Sequence, residues 1–131
     1  MTNDDPASPA EVIQTILLVE DDEDAGVFIA QVLKEERPYV VLHMTDGAHA
    51  LEAVGSIKPN LFILDYRLPG FDGLELFDRL HAIPGLEMVP ALMMSATYPS
   101  QKEIQKRHIS FLTKPFEISD LLAVVDELLA K

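Results

Sequence analysis

The chain contains no cysteine among its 131 residues. That excludes a disulfide framework and any thiolate metal site. Basic residues are few: 10 Lys and Arg stand against 22 Asp and Glu, for a net charge of −12. The cations are scattered, and a nucleic-acid surface needs them clustered against phosphates. No apolar stretch approaches the ~18 residues of a membrane span. The N-terminus lacks the basic-then-apolar pattern of a secretory signal. These absences lead us to expect a soluble cytoplasmic protein with neither nucleic acid nor membrane as a partner. No internal repeat and no phosphate-cradling Gly-rich loop occurs either.

What is present is a chain that is 48% hydrophobic, long enough for one domain with a proper core. Residues 1–12 are rich in Pro, Ser and Asp, show no periodicity, and read as a disordered lead-in to a domain spanning residues 13–131. From there strand-like and helix-like segments alternate. Strands are expected over residues 15–20, 39–44, 61–65, 91–95 and 110–113. Helices are expected over residues 24–36, 48–56, 72–81, 100–107 and 118–130. The first helix carries Ala25, Phe28, Ile29, Val32 and Leu33 at helical spacing, and Pro38 stops it. The third strand is apolar throughout before Asp65, as a strand buried on both faces should be. Five βα units imply right-handed crossovers and a parallel sheet with helices on both faces.

Four short apolar runs each lead into a polar group: Glu20-Asp21, Asp65, Ser95 and Lys114. Open parallel sheets bind ligands outside the carboxyl ends of their strands. Three carboxylates, a hydroxyl and an ammonium are therefore expected to meet in one place. Adjacent carboxylates such as Glu20 and Asp21 are costly unless a cation holds them. Clustered hard oxygens suit Mg²⁺. The plainer reading, capping of the first helix, is preferred for Asp22, Glu23 and Asp24. Asp72 caps the third helix, which leaves Asp65 free for chemistry. A carboxylate beside Mg²⁺ can act as a nucleophile toward phosphorus. A lysine aimed at the carboxylates neutralises them and can grip a phosphoryl oxygen. Lys114 precedes Pro115, and such a bond can be cis.

His43, His49, His81 and His108 have no metal-ligand spacing and read as ordinary residues. Met93 and Met94 read as core.

The ordered set of motifs resembles the receiver domain of two-component response regulators, single-domain chemotaxis-regulator types included. The resemblance is carried by Ile16-Leu17-Leu18-Val19-Glu20-Asp21-Asp22, by Leu64-Asp65-Tyr66-Arg67-Leu68-Pro69-Gly70-Phe71-Asp72-Gly73, by Met94-Ser95-Ala96 and by Leu112-Thr113-Lys114-Pro115-Phe116. The spacings of 45 residues from Glu20 to Asp65 and 30 from Asp65 to Ser95 match the family pattern. The resemblance implies a flavodoxin-like (βα)5 doubly wound fold with strand order 2-1-3-4-5. It implies Asp65 as phospho-acceptor, with Mg²⁺ on Asp21, Asp65 and the Arg67 backbone carbonyl, and Glu20 acting through a water. It implies that Lys114 pairs with the phosphoryl group and that Ser95 hydrogen-bonds it and pulls in its loop. Phe111 stands at the aromatic switch position, where only ring burial can report. Arg67 and Thr97 stand where dephosphorylation is tuned. The implied partners are a histidine kinase or histidine phosphotransfer protein and a protein target. The domain would be no general enzyme, catalysing only its own phosphorylation and dephosphorylation.

One spacing departs from the family: Ser95 and Lys114 are 19 residues apart, about three fewer than usual, close to one helical turn or about 4.5 Å. Both ends must reach Asp65, so the shortening falls in the fourth helix. That segment offers Ile104 as its one strong apolar residue, so packing stabilises it little. A short, shifted or partly disordered fourth helix is expected. Three other readings stand beside the single-domain receiver. The chain could be cut from a larger regulator or hybrid kinase. It could be a degenerate scaffold, which its complete set of site residues disfavours. It could be a Mg²⁺-dependent Asp-nucleophile phosphatase. Such enzymes usually place an acidic residue two positions after the nucleophile, and here that position is Arg67, which cannot deliver a proton.

Overall fold

The computed structural model describes residues 13–130. The lead-in expected over residues 1–12 lies outside the described residues. The element order is β1 (Thr15–Val19), α1 (Glu23–Glu36), β2 (Val40–Met44), α2 (Gly47–Ala53), β3 (Leu61–Asp65), α3 (Gly73–His81), β4 (Ala91–Ser95), α4 (Gln101–Lys106), β5 (Ser110–Thr113) and α5 (Ile118–Leu129). The five strands form one sheet in the order β2-β1-β3-β4-β5, and every pairing is parallel. Both features match the expectation.

The ends move by one to three residues, for local reasons. β1 stops at Val19, and Glu20 follows as the first residue outside it. α1 begins at Glu23 because Asp22 is its cap, accepting the Ala25 N–H at 3.1 Å. Asp72 likewise caps α3 through the Glu75 N–H at 2.9 Å. These side chains satisfy donors that a helix start leaves orphaned. α2 is shorter than expected, because residues 55 and 56 continue as turns onto Glu52 and Ala53.

Period-two alternation splits the sheet into two cores. Ile16, Leu18, Leu61, Ile63, Leu92 and Met94 face α1 and α5, where Ile29, Leu33, Leu121 and Val125 meet them. Leu17, Val19, Phe62, Leu64 and Met93 face the other way, against α2, α3 and the α4 region. All eleven of these strand residues are fully buried, which explains their unbroken apolar runs. The first helix differs from its sequence pattern at one place. Phe28, expected on the inner face, is 55% exposed, and Gly26 and Ala30 are buried instead. Ile29 and Leu33 set the inward direction, and Phe28 lies about 100° around the helix from Ile29.

α4 has only six residues, which agrees with the expected shortening. Ile104 is its one buried residue. The helix is closed by His108 in the left-handed region at φ 57°, with the Ile109 N–H returning to the Ile104 carbonyl at 3.2 Å. That is a common way to satisfy the last carbonyls of a helix.

Candidate functional site

The carboxyl ends of β1, β3, β4 and β5 bring the expected groups to one edge of the sheet. Glu20, Asp21 and Asp65 each offer a carboxylate oxygen, and these atoms lie within 4.8 Å of one another. Glu20 and Asp65 are buried, while Asp21 is exposed. Lys114 follows β5 directly and is joined to Pro115 by a cis peptide bond. Its Nζ lies 2.8 Å from Glu20 Oε1 and 3.3 Å from Asp65 Oδ2. One ammonium thus serves two buried carboxylates.

The charges distort one another. Burial, the nearby Glu20 charge and a hydrogen bond to Glu20 push Asp65 up to about 6, against the pull of Lys114. Burial also works to raise Glu20, but Lys114 and the Asp22 N–H outweigh it and hold Glu20 below the usual range. Burial pulls Lys114 down, and its two carboxylate partners more than compensate, so it stays charged above its usual range. Three carboxylates against one ammonium leave an excess of two negative charges when all are ionised. That excess, presented on hard oxygens, fits a divalent cation of the Mg²⁺ type.

Ser95 ends β4 and is 1% exposed. Its hydroxyl accepts the Thr97 N–H at 3.1 Å and lies 3.2 Å from Thr97 Oγ1. Its backbone carbonyl accepts the Lys114 N–H at 2.8 Å, which ties the β4 and β5 ends together. Phe111 is half-buried on β5, and the Tyr98 ring stacks on it with centroids 4.6 Å apart. Arg67 is exposed in the loop after β3 and forms no ion pair among the described residues.

The sequence reading missed three contributors. Tyr98 covers Phe111. Arg107 ties α4 to α3. His43, set aside as ordinary, places its Nε2 at 2.8 Å from the Glu20 carbonyl oxygen. No periodicity or motif singles out any of them.

A larger cavity, about 560 Å³, opens at the opposite end of the sheet among Gln14, Asn60, His81 and Arg107, and none of the site residues lines it. A groove of about 420 Å³ does border the site, with Phe28, Ile29, Phe116 and Ile118 as walls and Lys114 at its edge. No helix among the described residues is long and apolar enough to cross a membrane.

Comparison with known proteins agrees with this geometry. The chain is 37% identical over 113 residues to the response regulator RppA of Synechocystis sp., covering 82% of this chain and 47% of that one. It is 31% identical over 118 residues to the response regulator receiver protein CpdR of Brucella abortus, covering 89% and 98%. The chain thus spans about half the length of RppA and nearly all of CpdR. Among solved structures, a response regulator from Chloroflexus aurantiacus superposes with a TM-score of 0.83 at 28% identity, covering 92% of this chain and all of that one. The family model for the response regulator receiver domain matches residues 16–126, and the chain belongs to that family.

Proposed function

We propose that residues 13–131 form a phospho-accepting receiver in which Asp65 takes a phosphoryl group from a histidine kinase or histidine phosphotransfer protein. The observation that carries this is the convergence of Asp65, Glu20, Asp21 and Lys114 at the carboxyl end of the sheet. The carboxylate set suits Mg²⁺ held by Asp21, Asp65 and the Arg67 carbonyl, with Glu20 acting through a water. Bound there, the ion supplies positive charge to the oxygens of the transferring group.

Asp65 Oδ attacks phosphorus in line. The new O–P bond forms as the P–N bond to the donor imidazole breaks, and that electron pair returns to the imidazole nitrogen. Lys114 shifts toward a phosphoryl oxygen and balances charge in a loose transition state. The product is an acyl phosphate that adds roughly two negative charges beside Ser95 and Lys114. The Ser95 hydroxyl then turns from Thr97 to donate to a phosphoryl oxygen, drawing the loop after β4 inward. Phe111 reports the shift through its burial, since it has no hydroxyl. Water attacking the acyl phosphate resets the domain, and Arg67 and Thr97 flank its path. Arg67→Ala is expected to speed that decay at unchanged Mg²⁺ affinity.

The apolar groove beside Lys114 gives the donor protein a surface next to the acceptor. The switched surface acts on a protein target within the cytoplasm. Because the chain matches only about half of RppA, the whole protein around this domain is either a stand-alone receiver of the CpdR kind or part of a larger regulator. The phosphatase reading gains nothing from the structure: Arg67, at the position an acid would need, is exposed and cationic.

Incubation with a small phosphodonor and Mg²⁺, followed by intact-mass measurement, tests the assignment. An adduct is expected in the wild type and none in Asp65→Asn. An undiminished adduct in the variant overturns the role of Asp65.

A further inference from the structure

Glu20 stands where β1 and β2 part. Its N–H donates to the Met44 carbonyl at 3.0 Å, the last backbone bond between the two strands. Its own carbonyl has no strand partner beyond that point, because Asp46 has already turned to cap α2. The His43 imidazole occupies the place of the missing partner, with Nε2 at 2.8 Å from the Glu20 carbonyl oxygen. The ring reaches that position only because residue 26 is glycine. A Cβ there would overlap His43 Cε1 and Nε2. Gly26 is itself a buried helical residue whose N–H donates to the Asp22 carbonyl at 2.9 Å. Glycine within a helix is unfavourable by about 1 kcal/mol relative to alanine. The space it leaves is filled by the Nε2 end of the imidazole.

We propose that His43, seated against Gly26, is a positioning residue for the acidic loop: it fixes the Glu20 carbonyl and so holds Asp21 in place for a divalent cation. The proposal rests on the receiver reading of the site. Its physical content is a three-point anchor. The Glu20 N–H is held by Met44, its carbonyl by His43, and its carboxylate by Lys114 and the Asp22 N–H at 3.1 Å. Asp21 is exposed, and its backbone is held between that anchor on one side and the α1 cap at Asp22 on the other. Second-layer partners of metal ligands commonly change affinity by about 10-fold to 100-fold. Since His43 acts through the main chain and not on a ligand atom, the low end applies. The bond needs only an Nε2–H, which both the imidazolium and one neutral tautomer supply.

The test uses the whole chain and Mg²⁺ alone as probe. Affinity is followed by the amide resonances of Asp21 and Asp65, and stability by urea unfolding without metal. His43→Leu, which keeps bulk but loses the donor, is expected to bind Mg²⁺ about tenfold more weakly and to speed hydrogen exchange at the Asp21 and Asp22 amides in the metal-free protein. His43→Gln, which restores a donor, is expected to recover part of the affinity. The double variant Gly26→Ala/His43→Ala separates positioning from packing. It removes the overlap and gains helix propensity, so stability should recover relative to Gly26→Ala while Mg²⁺ affinity stays weak. Wild-type affinity in a folded His43→Leu, or joint recovery of stability and affinity in the double variant, overturns the proposal. Should the wild type itself fail to bind Mg²⁺, the receiver reading of the site fails first, and this inference with it.

Discussion

Arg107 forks onto Asp78 across the gap between α4 and α3, with Nε to Oδ1 at 2.8 Å and Nη2 to Oδ2 at 2.9 Å. The same guanidinium reaches Glu103 Oε1 at 2.7 Å, one turn back along α4. Only 17% of the Arg107 side chain is exposed, so the fork is more than a loose surface pair. A helix of six residues with one buried side chain cannot hold itself by packing. The clamp supplies a second attachment, at the end opposite the Ser100 cap.

The first prediction follows from that clamp. Arg107→Ala should destabilise the protein by about 1 to 2 kcal/mol. Asp78→Ala should cost less, about 1 kcal/mol, because its carboxylate is half exposed and solvent screens it. Hydrogen exchange should rise first at the amides of Ile104, Arg107 and Ile109. Unchanged exchange there in both variants would show that α4 does not depend on the clamp.

The second prediction concerns acidity. Asp65 is raised to about 6 in the folded protein from an ordinary value of 3.8. A carboxyl raised on folding favours the folded state when both states hold the proton, below about pH 4, and that advantage is lost as pH climbs through about 6. At neutral pH the metal-free protein therefore carries a cost on the order of 3 kcal/mol at this position. Glu20 works the other way: held below its usual value, it stabilises above about pH 4.5 and loses that as pH falls. Asp65→Asn should make the metal-free protein more stable than wild type at about pH 7.5, and the gain should vanish near pH 4. Mg²⁺ relieves the same cost, so its effect on Tm should grow between about pH 5 and pH 7.5 in the wild type. Urea unfolding across pH, with and without Mg²⁺, measures both. A variant no more stable than wild type at neutral pH would contradict the burial and Glu20 effects.

The third prediction concerns Tyr98, which is 63% exposed yet stacks on Phe111. Aromatic pairs contribute about 0.5 to 1.5 kcal/mol beyond their area. Tyr98→Ala should cost about 1 kcal/mol, and Tyr98→Phe almost nothing, since the hydroxyl has no partner among the described residues. Because Tyr98 is three residues past Ser95, the alanine variant should also shrink the Phe111 chemical-shift change produced by beryllofluoride. An alanine variant that responds as the wild type does would remove Tyr98 from the proposed switch.

Much of the fold could be read from the chain because a strand buried on both faces is an unbroken apolar run, and each such run here ends on a polar residue. That pattern located Asp65 and Ser95 without tertiary information, whereas Lys114 follows the half-buried edge strand β5, whose apolar run is only Phe111-Leu112. The caps were legible for a similar reason: Asp22 and Asp72 act on N–H groups three residues away. What escaped depends on partners that sequence distance hides. Arg107 and Asp78 are 29 positions apart, and nothing in either residue's neighbours pairs them. Tyr39 and Arg37 likewise meet Asp126 from the far end of the chain. Phe28 fitted an apolar helical face, but the width of that face is set by where β1 and β2 lie beneath it. His43 looked ordinary because its role exists only opposite a glycine.

The two cores lie on opposite sides of a sheet whose central strands are solid with side chains. Phe28, Ile29 and Phe116, the walls of the groove beside Lys114, rest on one side. Ile104, Ile109 and Phe111, which seat α4 and β5, rest on the other. On the proposed reading, with the donor seated on the groove and the response carried by Ser95 and Phe111, partner choice and response drift separately through substitution. Changes in the groove and changes around α4 should add when combined, since they share no packing neighbours. Only the thin row of polar groups along the sheet's edge belongs to both, so that row is where epistasis between recognition and output should concentrate.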